Sequence, residues 1–452
     1  MSALAPPAKH GGDLLRFAGI WCTSLLSTVG SALSTFVLGV WTLQTTGSVT
    51  AFALLMLAST LPGILAGPLA GVVADRFDRR RVLIAADTIN ALPTAAVGVL
   101  THTGDLAVWH LYASATIGAV CGAFHLTAYQ AMTPLLVAER QLGRINGLMQ
   151  LGFAVQVCAP VIAAALLASV GVTGVILLDL VTFALAVTTL SAVRLPARVL
   201  RPPVPAEPPA LRADLLHGWR HLRSRRGLLE LTLVFTAYNF LFGAAGVLIQ
   251  PLILSFSSVS TLGVLMLAGG CGVLAGSVLM TAWGGPRRTL TGVTVFTAVG
   301  GVALIAHAPW PAPVPVGVAA AVFLFTLPVV QACGRTIMQM RIEPERLGRV
   351  MGTFTTLGQL AMPVAYLCAA PLTERLAEPL LRPGAALASS VGALTGTGPG
   401  RGIAAVFLLT GAAMLALAAL TARLPALRAL AEPALEGASA PSGMHDRGTE
   451  GD

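Results

Sequence analysis

The chain has 452 residues, of which 55% are hydrophobic and only 10% are charged, and its mean hydropathy is +0.81. A soluble surface needs roughly 25–35% charged residues, so this composition excludes a set of soluble domains and indicates an integral membrane protein. The formal net charge of +9 would also suit a nucleic-acid-binding protein. The positions of the basic residues in the chain must therefore distinguish nucleic-acid binding from membrane topology signals.

Long uncharged stretches set the number of membrane crossings. Residues 17–74, 231–286 and 289–334 contain no Asp, Glu, Lys or Arg. A helix needs about 20 residues to cross the hydrocarbon core, so each stretch holds two spans. The remaining spans are predicted at 82–101, 107–134, 145–168, 172–193, 350–373 and 402–423. The sequence therefore predicts an all-α integral membrane protein with twelve transmembrane helices.

The basic residues predict the orientation. With both termini inside, 25 of the 28 Lys and Arg residues fall on cytoplasmic segments, as the positive-inside rule requires. This pattern predicts a multi-pass protein of the cytoplasmic (inner) membrane, in contact with the lipid bilayer, and it argues against nucleic acid as a partner. The six cysteines lie within spans and lack metal-ligand spacing, so neither a metal nor another cofactor is expected.

The chain divides into two similar halves. The segment Glu139-Arg-Gln-Leu-Gly-Arg-Ile-Asn-Gly147 follows span four, and Glu345-Arg-Leu-Gly-Arg-Val-Met-Gly352 follows span ten. Duplicated six-helix halves are typical of secondary transporters. The predicted parts are a cytoplasmic N-terminal segment (1–16), a first half (17–194), a cytoplasmic linker with an amphipathic helix (195–227), a second half (228–424) and a disordered cytoplasmic tail (425–452).

The short loop after span two carries a motif that a merely basic loop does not explain. It reads Gly71-Val-Val-Ala-Asp75-Arg76-Phe-Asp-Arg79-Arg80. Gly71 permits close helix approach, and Asp75 can face the positive end of a helix that starts on the cytoplasmic side, such as span eleven. Arg76 and Arg79 can pair with acidic groups on neighbouring loops. We interpret the motif as a conformational latch on the inner side, formed by Gly71, Asp75, Arg76, Arg79 and Arg80.

The pattern Gly-x-x-x-Asp-Arg-x-x-Arg-Arg resembles the signature loop of the major facilitator superfamily. Residues around Trp21 and the run from Phe124-His125 into the Glu-Arg-x-Leu-Gly-Arg repeat are similar to its drug:proton antiporter branch, which holds macrolide-efflux and enterobactin-exporter-type proteins. The resemblance implies two pseudo-symmetric six-helix halves and a monomer that exports small lipophilic or amphipathic molecules (drug, macrolide or siderophore-like) by alternating access with proton antiport. An uncoupled facilitator or importer of a small solute is the alternative.

In the fold that the sequence resembles, spans one, four, seven and ten line a central cavity. Polar residues of span one recur at helical spacing, although small polar residues also serve as ordinary helix-packing contacts. An aromatic-rich, sparsely charged lining suits an amphipathic or hydrophobic substrate. The predicted cavity residues are Trp21, Ser24, Thr28, Ser31, His125, Tyr129, Tyr238, Asn239 and Gln331.

Ionisable groups inside a membrane indicate function by default. The candidates for proton coupling are Glu230, Asp87 and His125. Each has a structural alternative: Asp87 can pair with the arginines of the preceding loop, Glu230 can be an interfacial residue near Arg226, and His125 can be a hydrogen-bonded core histidine. Asp179 lies on a span expected at the periphery, where a structural role is equally possible.

An enzyme is disfavoured because no acid/base pair, metal cluster or nucleophile constellation stands at a membrane face. The chain contains no Walker-type loop, and its single lysine is Lys9, which excludes ATP drive from this polypeptide. The expected partners are thus a small-molecule substrate and protons.

Overall fold

A computed structural model describes residues 10–136, 142–193, 219–286, 288–398 and 400–431. Within these ranges the side chains are described except at 10–18, 75, 131, 133–136, 142–156, 344–349 and 431. Every regular element in the described ranges is a helix.

The first half consists of α1 (His10–Thr46), α2 (Val49–Arg76), α3 (Arg79–Thr103), α4 (Val108–Leu136) and α5 (Leu142–Ala192). Local capping explains where several of them begin and end. The Ser48 hydroxyl accepts a hydrogen bond from the Ala51 amide at the start of α2, and Gly104 ends α3 in the left-handed conformation. Gly171 interrupts α5 with φ 68° and ψ −175°, a backbone conformation open essentially to glycine alone, so α5 is two helices in sequence.

The second half consists of α6 (Arg226–Leu254), α7 (Val259–Trp283), α8 (Thr289–Ala306), α9 (Pro313–Arg341), α10 (Pro344–Pro371) and α11 (Arg401–Arg423). A π-helix, Leu372–Ala377, and two short helices, Glu378–Leu380 and Val391–Thr395, connect α10 to α11. The last described helix is α12 (Pro425–Ala431). Proline in the first turn of α9 and α10 fits helix starts, where its missing N–H costs nothing.

Ten of the described helices are long and apolar enough to cross a membrane, which confirms the all-α membrane fold. The break at Gly171 divides α5 near the predicted boundary of spans five and six, and α10 lies where span eleven is predicted but is not among the ten. The predicted number of twelve is therefore not confirmed exactly.

The packing order shows how the two halves meet. In the first half α1 packs against α5, and α2 and α3 pack against α4; in the second half α9 packs against α7 and α8, α8 against α11, and α6 against α10. The halves contact each other mainly through α2 with α10 and α5 with α7. The helices that correspond to the spans predicted to line a central cavity are α1, α4, α6 and α9.

The two ends of the bundle differ in charge. We call the end that carries 76–81 and 220–226 the basic end, and the end that carries 46–49 and 371–400 the opposite end. The basic end corresponds to the side that the sequence predicts to be cytoplasmic.

Two predicted boundaries of the second half differ from the structure. The tail predicted to be disordered from 425 begins as helix α12, which packs on α6 and buries Leu427. In the predicted linker, 219–224 are helical, and Leu222 is buried in the core of the second half rather than facing lipid. Both segments carry apolar side chains that pack against the second half near α6. The polar residues that flank these segments gave no sign of this burial in the sequence. The rest of the predicted segments, 1–9, 194–218 and 432–452, lies outside the described residues.

Candidate functional site

The turn between α2 and α3 is fastened to the rest of the first half. The Asp78 carboxylate accepts hydrogen bonds from the backbone amides of Arg80 at 2.9 Å and Arg81 at 3.2 Å, so it caps the N-terminus of α3. The Arg80 guanidinium donates to the carbonyl oxygen of Ser191 at the end of α5. The sequence analysis missed Asp78, although an aspartate just before a helix is the usual signal of a cap.

The residues of the predicted latch lie in different surroundings at this end. Arg76 is exposed, whereas Arg79 is buried. A Cβ placed on Gly71 would meet no described atom within 4 Å, so the predicted close helix approach is absent here. Instead α2 approaches α4 at Gly63, where a Cβ would lie 2.8 Å from the carbonyl oxygen of Ala119. The side chain of Asp75 lies outside the described residues.

Two of the ionisable candidates form a pair inside the first half. Oδ1 of Asp87, on α3, lies 2.8 Å from Nδ1 of His125, on α4. Asp87 is buried, and its Oδ2 has no hydrogen-bond partner among the described residues. The alternative that Asp87 pairs with the loop arginines is wrong, because Arg80 binds a backbone carbonyl of α5 and Arg81 is exposed.

The His125 ring also contacts an aromatic residue from the predicted cavity. It stacks on Tyr129 one turn along α4, with the ring centroids 6.3 Å apart and an interplanar angle of 13°. The His125 side chain keeps 19% of its surface exposed, against 6% for Asp87. The contact therefore joins a buried carboxylate on α3 to a partly accessible imidazole on α4.

The polar residues of span one do not share one environment. Ser24 is buried, whereas Thr28 is exposed and donates to the carbonyl oxygen of Ser24 at 2.8 Å. Trp21 packs with Tyr129 against a small apolar cluster. Ser31 points elsewhere, because its hydroxyl lies 3.4 Å from Oδ1 of Asp179 on α5. The predicted single face of span one therefore splits between helix packing and a polar contact inside the first half.

Tyr238, predicted to line the cavity, is instead part of the core. It is almost fully buried and packs between Phe235 and Phe242, with ring centroids 6.4 Å and 6.5 Å away. Helical spacing could not show this, because α6 is apolar on most sides and gives no reliable inward face. The prediction for Tyr238 is wrong for that reason.

Asn239 and Gln331, the other predicted residues of spans seven and ten, do come together. Nε2 of Gln331 on α9 lies 3.5 Å from Oδ1 of Asn239 on α6. Asn239 also donates through Nδ2 to the carbonyl oxygen of Phe235 at 2.8 Å. Both side chains are half-buried, so they form a polar contact between two helices that are expected to line the cavity.

Glu230 belongs to the basic end and to the structure of α12. Its Oε1 accepts from Nε of Arg226 at 3.0 Å, and its Oε2 accepts from the backbone amide of Leu427 at 3.1 Å. Both oxygens are thus used in anchoring helix ends, as the interfacial alternative predicts. This removes Glu230 from the proton-coupling candidates.

The opposite end carries a contact between the halves that the sequence analysis did not predict. Oε1 of Glu374 accepts from the Ser48 hydroxyl at 2.9 Å and from the Thr50 amide at 3.1 Å, while Oε2 accepts from the Thr50 hydroxyl. Burial raises the pKa of Glu374, but the hydrogen bonds from Thr50 and Ser48 outweigh it and hold this pKa below the usual 4.5. No local signal predicts a contact between residues 324 apart in sequence.

Three cavities accompany these contacts. One of about 360 Å³ lies inside the first half and includes Ser31 and Asp179; one of about 330 Å³ lies between the halves at the opposite end and includes Glu374; one of about 210 Å³ lies in the second half and is almost entirely apolar. Of the predicted substrate residues, only Ser31 lines any of these three cavities. The described residues contain no group of three or more potential metal ligands.

Comparison with known proteins places the chain in a family. The profile of the Major Facilitator Superfamily matches residues 20–366. The chain is 26% identical over 373 residues to macrolide efflux protein A of Streptococcus pyogenes, which covers 81% of this chain and 92% of that protein. It is 28% identical over 363 residues to the multidrug efflux pump Tap of Mycobacterium bovis, which covers 78% of this chain and 85% of that protein.

Solved structures agree on the fold. A bacterial homologue of the human lysosomal transporter Spinster, in its inward-facing and unoccupied conformation, superposes with a TM-score of 0.68 at 15% identity, covering 92% of this chain and 98% of that one. A bacterial homologue of the iron transporter ferroportin in its inward-facing state gives 0.61 at 16% identity, covering 91% and 99%. The chain therefore belongs to the major facilitator superfamily and is a multi-pass membrane transporter rather than an enzyme.

Proposed function

We propose that this protein exports small lipophilic or amphipathic molecules, of the drug or macrolide class, across the cytoplasmic membrane by proton antiport. The observation that carries the coupling is the pair of Asp87 and His125, joined at 2.8 Å within the spans of the first half. Two relatives are named as a macrolide efflux protein and a multidrug efflux pump. These names support the proposed direction of transport and the proposed substrate class. The basic end then faces the cytoplasm, with both termini inside.

Alternating access is supported by the contact at the opposite end. Glu374 of the second half holds Ser48 and Thr50 of the first half, so the halves are joined on the proposed outer side. At the basic end a Cβ on Gly71 would meet no atom of the described residues within 4 Å, which is consistent with an opening on this side. In the complementary outward-open state, the Glu374 contact breaks and the latch residues around Gly71 close the inner side.

Proton coupling follows from the position of His125. With the outer side open, the partly exposed imidazole takes a proton, and its hydrogen bond to Asp87 becomes an ion pair. With the inner side open, substrate arriving from the cytoplasm stacks against Tyr129, which contacts the same imidazole, and favours the neutral form, so the proton leaves inward. One proton thus moves in for each substrate released outside.

The substrate class follows from the few polar groups that α6 and α9 present. Asn239 and Gln331 offer an amide pair, while Trp21 and Tyr129 supply aromatic surface from the first half. Such a lining suits a large apolar body with scattered hydrogen-bonding groups. A sugar or phosphate would need far more donors or basic side chains.

The test uses everted membrane vesicles, a radiolabelled macrolide and an imposed proton gradient. We expect gradient-driven uptake with the wild type, and a loss of roughly tenfold or more with Asp87→Asn and with His125→Gln, because breaking a buried charged pair costs several kcal/mol. Asp105→Asn is the matched control, since Asp105 is exposed beyond the end of α3, and it keeps wild-type uptake.

Two results would contradict the proposal. Uptake that equilibrates without responding to the gradient makes the protein an uncoupled facilitator. Gradient-driven uptake that survives both Asp87→Asn and His125→Gln places the coupling residue elsewhere. A panel of lipophilic cations and siderophores then defines the substrate range of whichever mechanism holds.

A further inference from the structure

A second buried carboxylate of the first half stands in a polar cavity of its own. Asp179, in the second part of α5, is only 2% exposed, and it lines the cavity of about 360 Å³. No residue that the structure describes forms an ion pair with it. The sequence placed Asp179 on a span expected at the periphery and left a structural and a functional role equally open.

The position of Asp179 is fixed by a close approach of two helices. A Cβ on Gly30 of α1 would lie 2.8 Å from Oδ1 of Asp179 and 2.5 Å from Oγ1 of Thr182. The Thr182 hydroxyl instead donates to the backbone carbonyl of Asp179 at 2.7 Å. Glycine at position 30 therefore lets α1 approach the carboxylate, and it brings Ser31 to within 3.4 Å of Oδ1.

The remaining polar groups around the cavity are neutral oxygen donors. They come from α1, α2, α3 and α4 and include Ser31, Ser34, Ser59, Asn90, Thr94 and Ser114. Among the described residues, no Lys, Arg or His lines the cavity. A carboxylate held in a low-dielectric interior without a basic partner is costly unless something neutralises it.

Several of these oxygens are free to accept a positive charge. The Thr94 hydroxyl donates its proton to the carbonyl oxygen of Asn90 at 3.0 Å, so the lone pairs of its oxygen remain available. The Ser34 hydroxyl is buried and lies close enough to the Asp179 carboxylate to interact with it, as the Ser31 hydroxyl does. Two hydroxyls beside a buried carboxylate that has no basic partner among the described residues form an arrangement that can bind a cation.

The chemistry of the donors selects the kind of ligand. Hydroxyl, amide and carboxylate oxygens are hard donors, which prefer hard cations to soft transition metals. A single carboxylate balances one positive charge, whereas protein sites for Ca²⁺ and Mg²⁺ use several acidic or phosphate oxygens. The volume has room for an ion and roughly ten waters, at about 30 Å³ for each water. Thr35 and Gly122, which also line the cavity, are exposed, so an ion can enter.

We propose that the cavity around Asp179, Ser31 and Ser34 is a binding site for a monovalent metal cation of the Na⁺ class. The site lies in the same half as the Asp87–His125 pair but shares no residue with it. It adds to the proposed proton antiport and does not depend on it. Since Ser31 and Ser34 lie on α1, a bound ion fixes α1 to α5 and stabilises the first half as a unit.

The test measures binding by the purified full-length protein, without transport. Equilibrium ²²Na⁺ binding and the thermal unfolding midpoint are recorded at about pH 8, where carboxyl groups are ionised, in NaCl, KCl or choline chloride of equal ionic strength. We expect one saturable Na⁺ site and a midpoint that rises with NaCl but not with choline chloride. Asp179→Asn should weaken Na⁺ binding on the order of 100-fold, and Ser31→Ala by about tenfold.

The controls separate the site from general effects of charge and folding. Asp105→Asn removes an exposed carboxylate and should bind Na⁺ as the wild type does. If Asp179→Asn does not fold, Ser31→Ala and Ser34→Ala still test the site. The proposal is overturned if NaCl and choline chloride act alike on the wild type, if Na⁺ binding persists unchanged in the Asp179 or serine variants, or if only pH changes the midpoint, which would make Asp179 a protonation site.

Because no substrate or gradient is used, these outcomes are distinguishable from failure of the export proposal. A protein that binds Na⁺ at Asp179 but shows no gradient-driven uptake keeps the site and loses the antiport mechanism. A protein that shows gradient-driven uptake but binds no Na⁺ keeps the antiport mechanism and loses the site.

Discussion

The two halves share one helical plan but place their carboxylates differently. In the first half Asp87 and Asp179 are buried within the membrane-spanning helices. In the second half the described glutamates lie at or beyond helix ends, where Glu230, Glu374 and Glu378 accept hydrogen bonds from backbone amides. A duplicated fold can therefore keep its packing while the chemistry of ions is concentrated in one copy.

The second half also differs from the first in the packing of its interior. Its core is one large cluster that joins α6, α8, α9, α10 and α11 and that also takes in Phe52 and Ala53 of α2 from the first half. Aromatic contacts run through it, with ring centroids of Phe235 and Phe354 5.4 Å apart and those of Phe242 and Phe323 5.6 Å apart. Dense aromatic packing is rigid, so we expect the second half to move as a body while ions bind and leave in the first.

The largest expected effect tests that packing. Tyr238→Ala should destabilise the protein by about 3–5 kcal/mol, because it empties a fully buried aromatic site. The measurement is thermal unfolding in detergent, with Tyr129→Ala, at a half-buried position of the first half, as the comparison. If Tyr238→Ala instead keeps its unfolding midpoint and loses only substrate binding, Tyr238 lines a substrate cavity and the contrast between the halves fails.

The next effect compares Gly71 and Gly276, which are separated by 205 residues, the same offset that separates Gly147 from Gly352 in the repeat. A Cβ on Gly276 would lie 2.2 Å from the carbonyl oxygen of Phe325, whereas a Cβ on Gly71 would meet no described atom within 4 Å. Gly276→Ala should therefore cost about 1–3 kcal/mol of stability through overpacking. Gly71→Ala should be neutral or stabilising by up to roughly 1 kcal/mol, because alanine favours the helix.

Unfolding midpoints of the two variants give the answer directly. Equal destabilisation by both substitutions would show that the first half is packed as tightly around Gly71 as the second half is around Gly276. A Gly71→Ala variant that is stable but inactive in transport would support the latch, since the close approach is then needed only in the other conformation.

A smaller effect concerns the boundary between the halves. Glu374→Gln weakens charge-assisted hydrogen bonds to Ser48 and Thr50 and should shift the equilibrium toward opening of the opposite end by about tenfold, or roughly 1.4 kcal/mol. Thr373→Cys in a cysteine-free background reports the opening, because Thr373 is buried beside the cavity at this end. Its labelling rate by a membrane-impermeant maleimide should rise with Glu374→Gln.

Glu378→Gln is the matched control for this prediction. Glu378 caps α11 through the amides of Gly400 and Gly402, so it acts within one half and should leave the labelling rate unchanged. An equal increase with both variants would mean that the loop has loosened locally and that the halves have not separated.

The smallest expected effect is a pH dependence with a defined sign. Because the closed state holds the pKa of Glu374 below its usual 4.5, the ionised carboxylate stabilises closure at pH above that value, and this contribution is lost as the pH falls through the lowered pKa. The labelling rate of Thr373→Cys is divided at each pH by that of a fully exposed cysteine, because maleimide reacts with the thiolate, whose fraction falls with pH. This ratio should be flat from neutral pH to about pH 5 and rise only below the usual glutamate range. A rise already near pH 6 would assign the opening to a different group.

Much of the fold could be predicted from the sequence because hydropathy and capping are local properties. Segment positions, the helical class and the repeat at an offset of 205 residues follow from residues close together in the chain. The site could be predicted less well. The proton-coupling role of His125 and Asp87 stays a prediction, and their contact with each other was not foreseen. The expectations for Tyr238 and Glu230 failed because the burial of Tyr238 and the contact of Glu230 with α12 depend on how the helices pack.

The sequence by itself thus determined that the chain is a membrane transporter built from two related halves, since apolar length and charge bias fix which segments cross and which ends stay in water. Only the tertiary structure decided which faces of those helices meet. A membrane-spanning helix is apolar on nearly all sides, so its sequence carries little information about its rotation. The contacts of His125 with Asp87, of Ser31 with Asp179 and of Glu374 with Thr50 all depend on that rotation.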